Sequence, residues 1–248
     1  MELSPKVEFL GLSFDVPVMI GTVFTAIVVL LLTVLATRNP KMRPGGLQNL
    51  VEMLLDFVRG ILNISFDSKT AEKYLGFALT LFLFIFIANQ LGVMLMVTTE
   101  VHHPIPSLGI TGDDLEESHA AVWFKSPTAD LNVTVVMAVA ISLFAHFMGI
   151  FRDAKGYFSH YMQPNPLMFP IHLVDEIAKP TTHALRLWAN IFAGEVLITI
   201  MITYGNPLTT GAPLLVWLGY SLFVGTIQAY VFTVLASVYI AQKTVQDH

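Results

Sequence analysis

The sequence predicts an all-α, multi-pass membrane protein, with five membrane-embedded helices and one amphipathic helix at the interface. The last two embedded helices are long, with room for a strong tilt. Three observations lead there. Charged residues make up only 12% of the 248 and hydrophobic residues 54%, whereas a soluble domain carries about 25% charged residues. The mean hydropathy is +0.67. Apolar runs long enough to cross the hydrocarbon recur along the chain, since ~20 helical residues span it.

Each element follows in order. The opening segment MELSPKVEFLGLSFD lacks a basic n-region, so no cleaved signal peptide is expected. The first span is 17–37, closed by Arg38, Lys41 and Arg43. Over 45–64, Leu47, Leu50, Val51, Leu54, Leu55 and Val58 recur at helical spacing, interleaved with Glu52, Asp56 and Arg59. An apolar stripe backed by charge suits a helix lying at the interface or against a partner. The second span is 74–98. A loop over 99–130 follows, with Glu100, Asp113, Asp114, Glu116 and Glu117. The third span is 132–151, closed by Arg152 and Lys155. A Pro-rich bend, QPNPLMFP, leads to a long helix over 171–204. GNPLTTGAP, 205–213, reads as a turn, and the last helix covers 214–241. Residues 1–248 read as a single integral membrane domain, without clear repeats or low-complexity stretches.

Basic residues orient the chain. The side reached after the first span holds Arg38, Lys41, Arg43, Arg59, Lys69 and Lys73, and also receives Arg152, Lys155 and Lys243. The other side holds only Lys6 and Lys125 beside the acidic loop. The N-terminus is therefore expected outside and the C-terminus in the cytoplasm. The same composition narrows function. A pI near 5.9, with no run of Lys and Arg, gives no sign of nucleic acid. There is no cysteine and no His pair at i, i+4, so no metal or other cofactor is expected. No phosphate-binding GxxxxGK loop occurs, so any ATP chemistry must belong to other chains.

One charge stands out. Arg186 falls near the middle of the fourth embedded helix, where a charge costs from about 2.5 to more than about 10 kcal/mol. Two readings are open: an arginine that snorkels or pairs to hold helices together, or one that serves an ion path. Its distance from either helix end weighs against snorkelling. At ~100° per residue, Thr182, Ala189, Asn190, Ala193 and Leu197 lie within roughly 60° of it. Glu195 lies about 180° away, beside Trp188, Ile191, Ile198 and Ile202. Glu195 therefore cannot neutralise Arg186 along this helix, and the arginine must face another helix or chain. Small neighbours let that partner come close.

Asp175 and Glu176 lie ~15 Å to one side of Arg186 along the axis, and Glu195 ~13 Å to the other. Carboxylates load and release protons as their surroundings change. Arginine stays charged, so it attracts and discharges a carboxylate but passes no proton along. Two half-channels that do not meet fit this layout. A solvated helix start is the other reading for Asp175 and Glu176, more so for Asp175. If the last helix runs antiparallel, Gln228 reaches a depth similar to Arg186. There it either orients the guanidinium or is an amide satisfied within the bundle. His146 is the notable polar residue of the third span, and a lone helical His is more often packed than functional. His172 and His183 are ambiguous.

KPTTHALRLWANIFAGE resembles the signature of subunit a of the rotary F-type ATP synthase. PGGLQNLVE, ANQLG, SPTADLNVT and IQAYVFTVLASVYI follow that family's order too, so the likeness covers roughly residues 40–243. The resemblance implies a stator in a bacterial plasma membrane, bordering a ring of c subunits. It also implies the peripheral-stalk b subunits and the other ATP synthase subunits as partners. Protons would enter by one half-channel, ride the ring and leave by the other. Arg186 then matches the essential arginine, with Asn190 and Gln228 near it. Glu195 matches the outer-channel acid or His, and Asp130, Asn132 and Ser221 fall at positions associated with that channel. Ser221 departs from relatives that carry His or Glu there. Glu176, with Asp175 beside it, falls where Gram-positive-like members place the cytoplasmic acid. Other members place it a turn earlier, where this chain has His172. The alternatives are a self-contained ion-coupled secondary transporter and a structural anchor. The missing internal repeat argues against the first, and the three levels of Glu176, Arg186 and Glu195 against the second.

Overall fold

Asp15 begins the first long helix. Its carboxylate accepts from the Val18 N–H at 3.2 Å, and Pro17 sits in the first turn, where a missing N–H leaves no bond unmade. The computed structural model describes residues 3–9, 11–43, 45–95, 97–105, 108–110, 112, 115, 120–160 and 165–244. Asp113, Asp114, Glu116 and Glu117 of the acidic loop lie outside them. Strands β1 (Lys6–Phe9) and β2 (Leu12–Asp15) form a hairpin before helix α1 (Val16–Thr37). Helix α2 (Leu47–Leu62) buries Val51, Val58, Ile61 and Leu62. Arg59 ties its charged side to the next helix, donating from Nε to Glu72 Oε1 at 2.6 Å. The carboxylate of Asp67 accepts from the Thr70 N–H at 3.2 Å and starts α3 (Ser68–Met94). Hydrogen bonding from Thr70 also holds the Asp67 carboxyl below the usual carboxylate range.

Three elements depart from the expected boundaries. The second span ends at Met94 rather than 98. Val97–Glu100 forms strand β3, antiparallel to β4 (Ala120–Phe124), and Trp123 Nε1 donates to Thr99 Oγ1 at 2.7 Å. Val97, Thr98 and Thr99 are β-branched and suit a strand better than a helix end. The loop expected over 99–130 thus holds a strand and a 3₁₀ turn, Pro127–Ala129. Helix α4 (Leu131–His160) outlasts the expected end at 151, but breaks at Asp153, whose φ of −156° and ψ of 90° are extended. The turn expected over 205–213 shrinks to Gly205 and Asn206, between α5 (Phe169–Tyr204) and α6 (Pro207–Thr244). The Asn206 carbonyl accepts from the Thr209 and Thr210 N–H groups at 3.0 and 2.9 Å. Pro207 fits that first turn, so the residues that signal a turn here start a helix.

Among the described residues, five helices are long and apolar enough to cross a membrane: Val16–Thr37, Ser68–Met94, Leu131–Ala154, Phe169–Tyr204 and Thr209–Thr244. The architecture is all-α, with two small two-stranded antiparallel sheets beside the helices. Leu75, Phe82 and Ile85 of α3 share one core with Leu62, Leu187, Phe232 and Ile240. Apolar burial gains little in lipid, because the tails are as apolar as the core. Close packing and interhelical hydrogen bonds decide instead. The main set joins α3 to α6. Asn89, fully buried, donates from Nδ2 to the Gly225 carbonyl at 2.8 Å. Gln90 Nε2 donates to the Leu222 carbonyl and to Thr226 Oγ1, each at 3.2 Å. Gly225 permits the approach: a Cβ there would stand 3.1 Å from Asn89 Cβ.

Asn89→Ala is expected to destabilise the chain in detergent by about 1 kcal/mol, the size of an interhelical bond in a membrane protein. Gly225→Leu should cost more, because it separates the two helices as well as weakening that bond. Denaturant titration of the purified chain in micelles measures both.

Candidate functional site

Helices α5 and α6 run antiparallel, and their polar contacts fall at successive levels. Lys179 Nζ donates to Gln242 Oε1 at 3.3 Å. The rings of His183 and Tyr239 are 5.6 Å apart. Asn190 Nδ2 donates to Gln228 Oε1 at 3.2 Å, and Trp217 Nε1 to the Gly194 carbonyl at 3.4 Å. Gln228 therefore does lie at the level of Arg186 and Asn190. It is 4% exposed, and its Nε2 has no hydrogen-bond partner among the described residues.

Helix α5 divides as its 3.6-residue period requires. Arg186, Ala189, Asn190 and Ala193 are exposed on one face. Leu187, Ile191, Gly194, Glu195 and Ile198 are buried on the other. Pro180 interrupts the hydrogen-bond ladder one and a half turns earlier, and the helix runs on through it. The hydroxyls of Thr181 and Thr182 bond back to the carbonyls of Ile177 and Ala178, each at 2.7 Å. Arg186 is within electrostatic range of His183 and Tyr239. His183 is buried, its ring 3.7 Å from that of Phe232.

Glu195 points into the bundle. It is 8% exposed and lines a cavity of about 30 Å³ with Gly92, Leu95, Val122, Phe124, Lys125 and Ser126. That volume is enough to hold water. Gly92 makes the space: a Cβ there would lie 2.7 Å from both Glu195 Oε1 and Ser126 Cβ. Ser126 is held by its own bond to the Ala88 carbonyl at 2.8 Å. Ser221 is buried against Gly194 on the same level. Asp130 and Asn132 do not line the cavity. The Asp130 carboxylate accepts from the Asn132 and Val133 N–H groups at 2.8 and 3.2 Å, starting α4, and Asn132 is exposed.

At the other end of α5, Asp175 is exposed but Glu176 is not. Glu176 Oε1 meets Lys243 Nζ, and Oε2 lies 3.2 Å from His146 Nε2. From the sequence alone Lys243 reads as a charge near a helix end, and a lone helical His such as His146 is more often packed than functional. Gly92 and Ser126 fall within ANQLG and SPTADLNVT, but the sequence gives neither a site role. Antiparallel pairing of α5 with α6 carries the signal for Lys243, since the pairing that joins Asn190 to Gln228 also brings Glu176 to the end of α6.

A family profile described as ATP synthase A chain matches residues 19–241. The chain belongs to that family. It is 37% identical to the ATP synthase subunit a of Priestia megaterium over 251 residues, which cover 99% of this chain and 98% of that protein. It is 37% identical to the one from Listeria monocytogenes serotype 4b over 252 residues, 98% of each chain. For Bacillus subtilis the figure is 36% over 256 residues, 98% of this chain and 97% of that one. A member of this family is a non-catalytic, proton-translocating stator subunit of a rotary ATP synthase, and multi-pass in the bacterial plasma membrane. That assignment leaves the secondary-transporter reading without support.

Gly92→Ala should lower thermal stability in detergent by about 1–3 kcal/mol, the usual cost of overpacking. Gly60→Ala, where nothing stands within 4 Å of the added Cβ, serves as the unperturbed control. Equal melting curves for the two would show that the close approach at Gly92 is not binding.

Proposed function

We propose that this chain supplies two offset proton half-channels to a ring of c subunits, with Arg186 as the barrier between them. The observation that carries this reading is the split of α5. A permanent charge stands exposed on a face of small residues, while Glu195 on one side of it is buried and Glu176 on the other is largely sheltered against α4 and α6. An isolated chain gains nothing from a charge placed so, since mid-membrane exposure costs several kcal/mol. A moving partner that presents a carboxylate to Arg186 supplies the missing counter-charge. Asn190 and Gln228, bonded to each other at that level, shape the polar surround of the arginine.

Glu195 serves the outer half-channel, with Ser221 beside it and Ser126 lining its cavity. Asp130 and Asn132 belong at its rim, through the start of α4 rather than through contact with the cavity. Glu176 serves the cytoplasmic half-channel and Asp175 its solvent-facing mouth. The N-terminus lies outside and the C-terminus in the cytoplasm, as the basic residues indicate. The peripheral-stalk b subunits and the remaining ATP synthase subunits complete the set of partners. Residues 1–248 act as one integral membrane domain.

Arg186→Ala is expected to abolish ATP-driven proton pumping by the assembled synthase in vesicles while the complex still assembles. Coupled pumping at the wild-type rate in that variant would overturn the role given to Arg186. Arg186→Lys should also pump poorly, because a compact ammonium lacks the planar fork. Glu195→Gln should slow proton flux and Glu195→His preserve part of it. Wild-type flux in both would make Glu195 structural only.

A further inference from the structure

The break in α4 does something a straight helix cannot. His146 and Tyr157 are eleven residues apart, ~16 Å along a continuous helix, yet His146 Nδ1 and Tyr157 Oη are 2.5 Å apart. The extended residue Asp153 folds the tail of α4 back, and its side chain accepts from the Gly156 N–H at 3.1 Å to start the returning turn. Gly149 clears the space: a Cβ there would lie 2.8 Å from the Lys243 carbonyl and 3.0 Å from Tyr157 Cδ2. The result holds the imidazole at both nitrogens, Nδ1 at Tyr157 and Nε2 at Glu176 Oε2.

We propose that His146 is a proton-loading residue of the half-channel that holds Glu176. The inference rests on the placement of Glu176 in the cytoplasmic path. Its basis is that the cluster satisfies the ring in both charge states. A neutral imidazole donates from Nε2 to Glu176 and accepts at Nδ1 from the Tyr157 hydroxyl. A charged imidazole donates from both nitrogens, and the same hydroxyl turns to accept, since a phenol does either. Loading therefore adds one proton at Nδ1 and release removes it there, with the Tyr157 hydroxyl reversing its hydrogen bond and the Nε2 bond to Glu176 unchanged. Lys243 makes release possible. Its ammonium already pairs with Glu176, so the carboxylate does not depend on the imidazole for a counter-charge. Among the described residues, the other polar groups lining the site are Ser142 on α4, Lys179 on α5, and Tyr239 and Gln242 on α6. Lys179 is engaged with Gln242.

The test uses the complete synthase in vesicles, with proton flux followed while the pH on the side of the catalytic head is varied between about 5 and 8, the range in which a histidine switches. His146→Gln is expected to slow flux several-fold and flatten its dependence on that pH, with the chain still present in the purified complex. Lys243→Met should slow flux several-fold by leaving the loaded proton trapped against an unshared carboxylate. Tyr157→Phe removes only a hydroxyl and carries the test if His146→Gln fails to assemble. It too should slow flux and change the profile. Reduced flux in Glu176→Gln together with wild-type flux and profile in the His146 or Tyr157 variant would overturn the inference and leave the channel standing. Wild-type flux in Glu176→Gln would instead overturn the placement of Glu176 itself.

Discussion

The antiparallel pairing of α5 and α6 is the constraint on which the rest depends. Each polar group of the site comes from one of these helices or from a residue held against them. The bond from Asn190 to Gln228 fixes their relative height at the level of the arginine. Once that height is set, Lys179 meets Gln242 and Glu176 meets Lys243 toward one end. Gly194 meets Ser221 and Trp217 toward the other. Helix α3 then locks α6 through Asn89 and Gln90, and its Gly92 leaves room for Glu195. The structure is thus a polar ladder assembled by shape, in a solvent where apolar burial offers little drive.

That arrangement separates two demands that conflict within one helix. A proton path needs carboxylates that are sheltered but reachable by water. A barrier needs a charge that never titrates and faces outward. The 100° step of the helix puts residues 186 and 195 on opposite sides, so neither compromises the other. Two different neighbourhoods follow. Glu195 borders a cavity with room for water, opened by Gly92, while Glu176 is held directly by a cation and an imidazole. Carboxylates with such different partners differ in how readily each gives up or takes a proton.

Much of this was legible in the sequence, and the remainder was hidden for identifiable reasons. Length and hydropathy found the long helices, and the 3.6-residue period divided α5 into its two faces. Periodicity could not place residues across helices. Lys243 looked like a charge at a helix end, and His146 like a packed ring, because their meeting with Glu176 depends on three-dimensional register. Gly92 lies in the ANQLG motif, but its role there is hidden, since its importance lies in what stands opposite. Turn residues misled at 205–213, where proline and threonine serve a helix start. Asp130 fell near the expected channel by position, yet its carboxylate is taken up by the first turn of α4. The strand at Val97–Glu100 was lost inside an apolar run whose end only cross-strand pairing defines.

The link of Gly205 and Asn206 between α5 and α6 has a mechanical meaning. Two residues leave no slack, so the helices cannot slide past each other without unwinding a turn. A sideways load on the arginine face is therefore delivered to the whole hairpin as a bending moment, with the hydrogen-bonded contact to α3 as its fulcrum. Stiffness of this kind keeps the spacing of the polar levels constant. It also makes the length of this connection as consequential as the chemistry of any single side chain: an added residue would give the hairpin slack and loosen the height at which Asn190 meets Gln228.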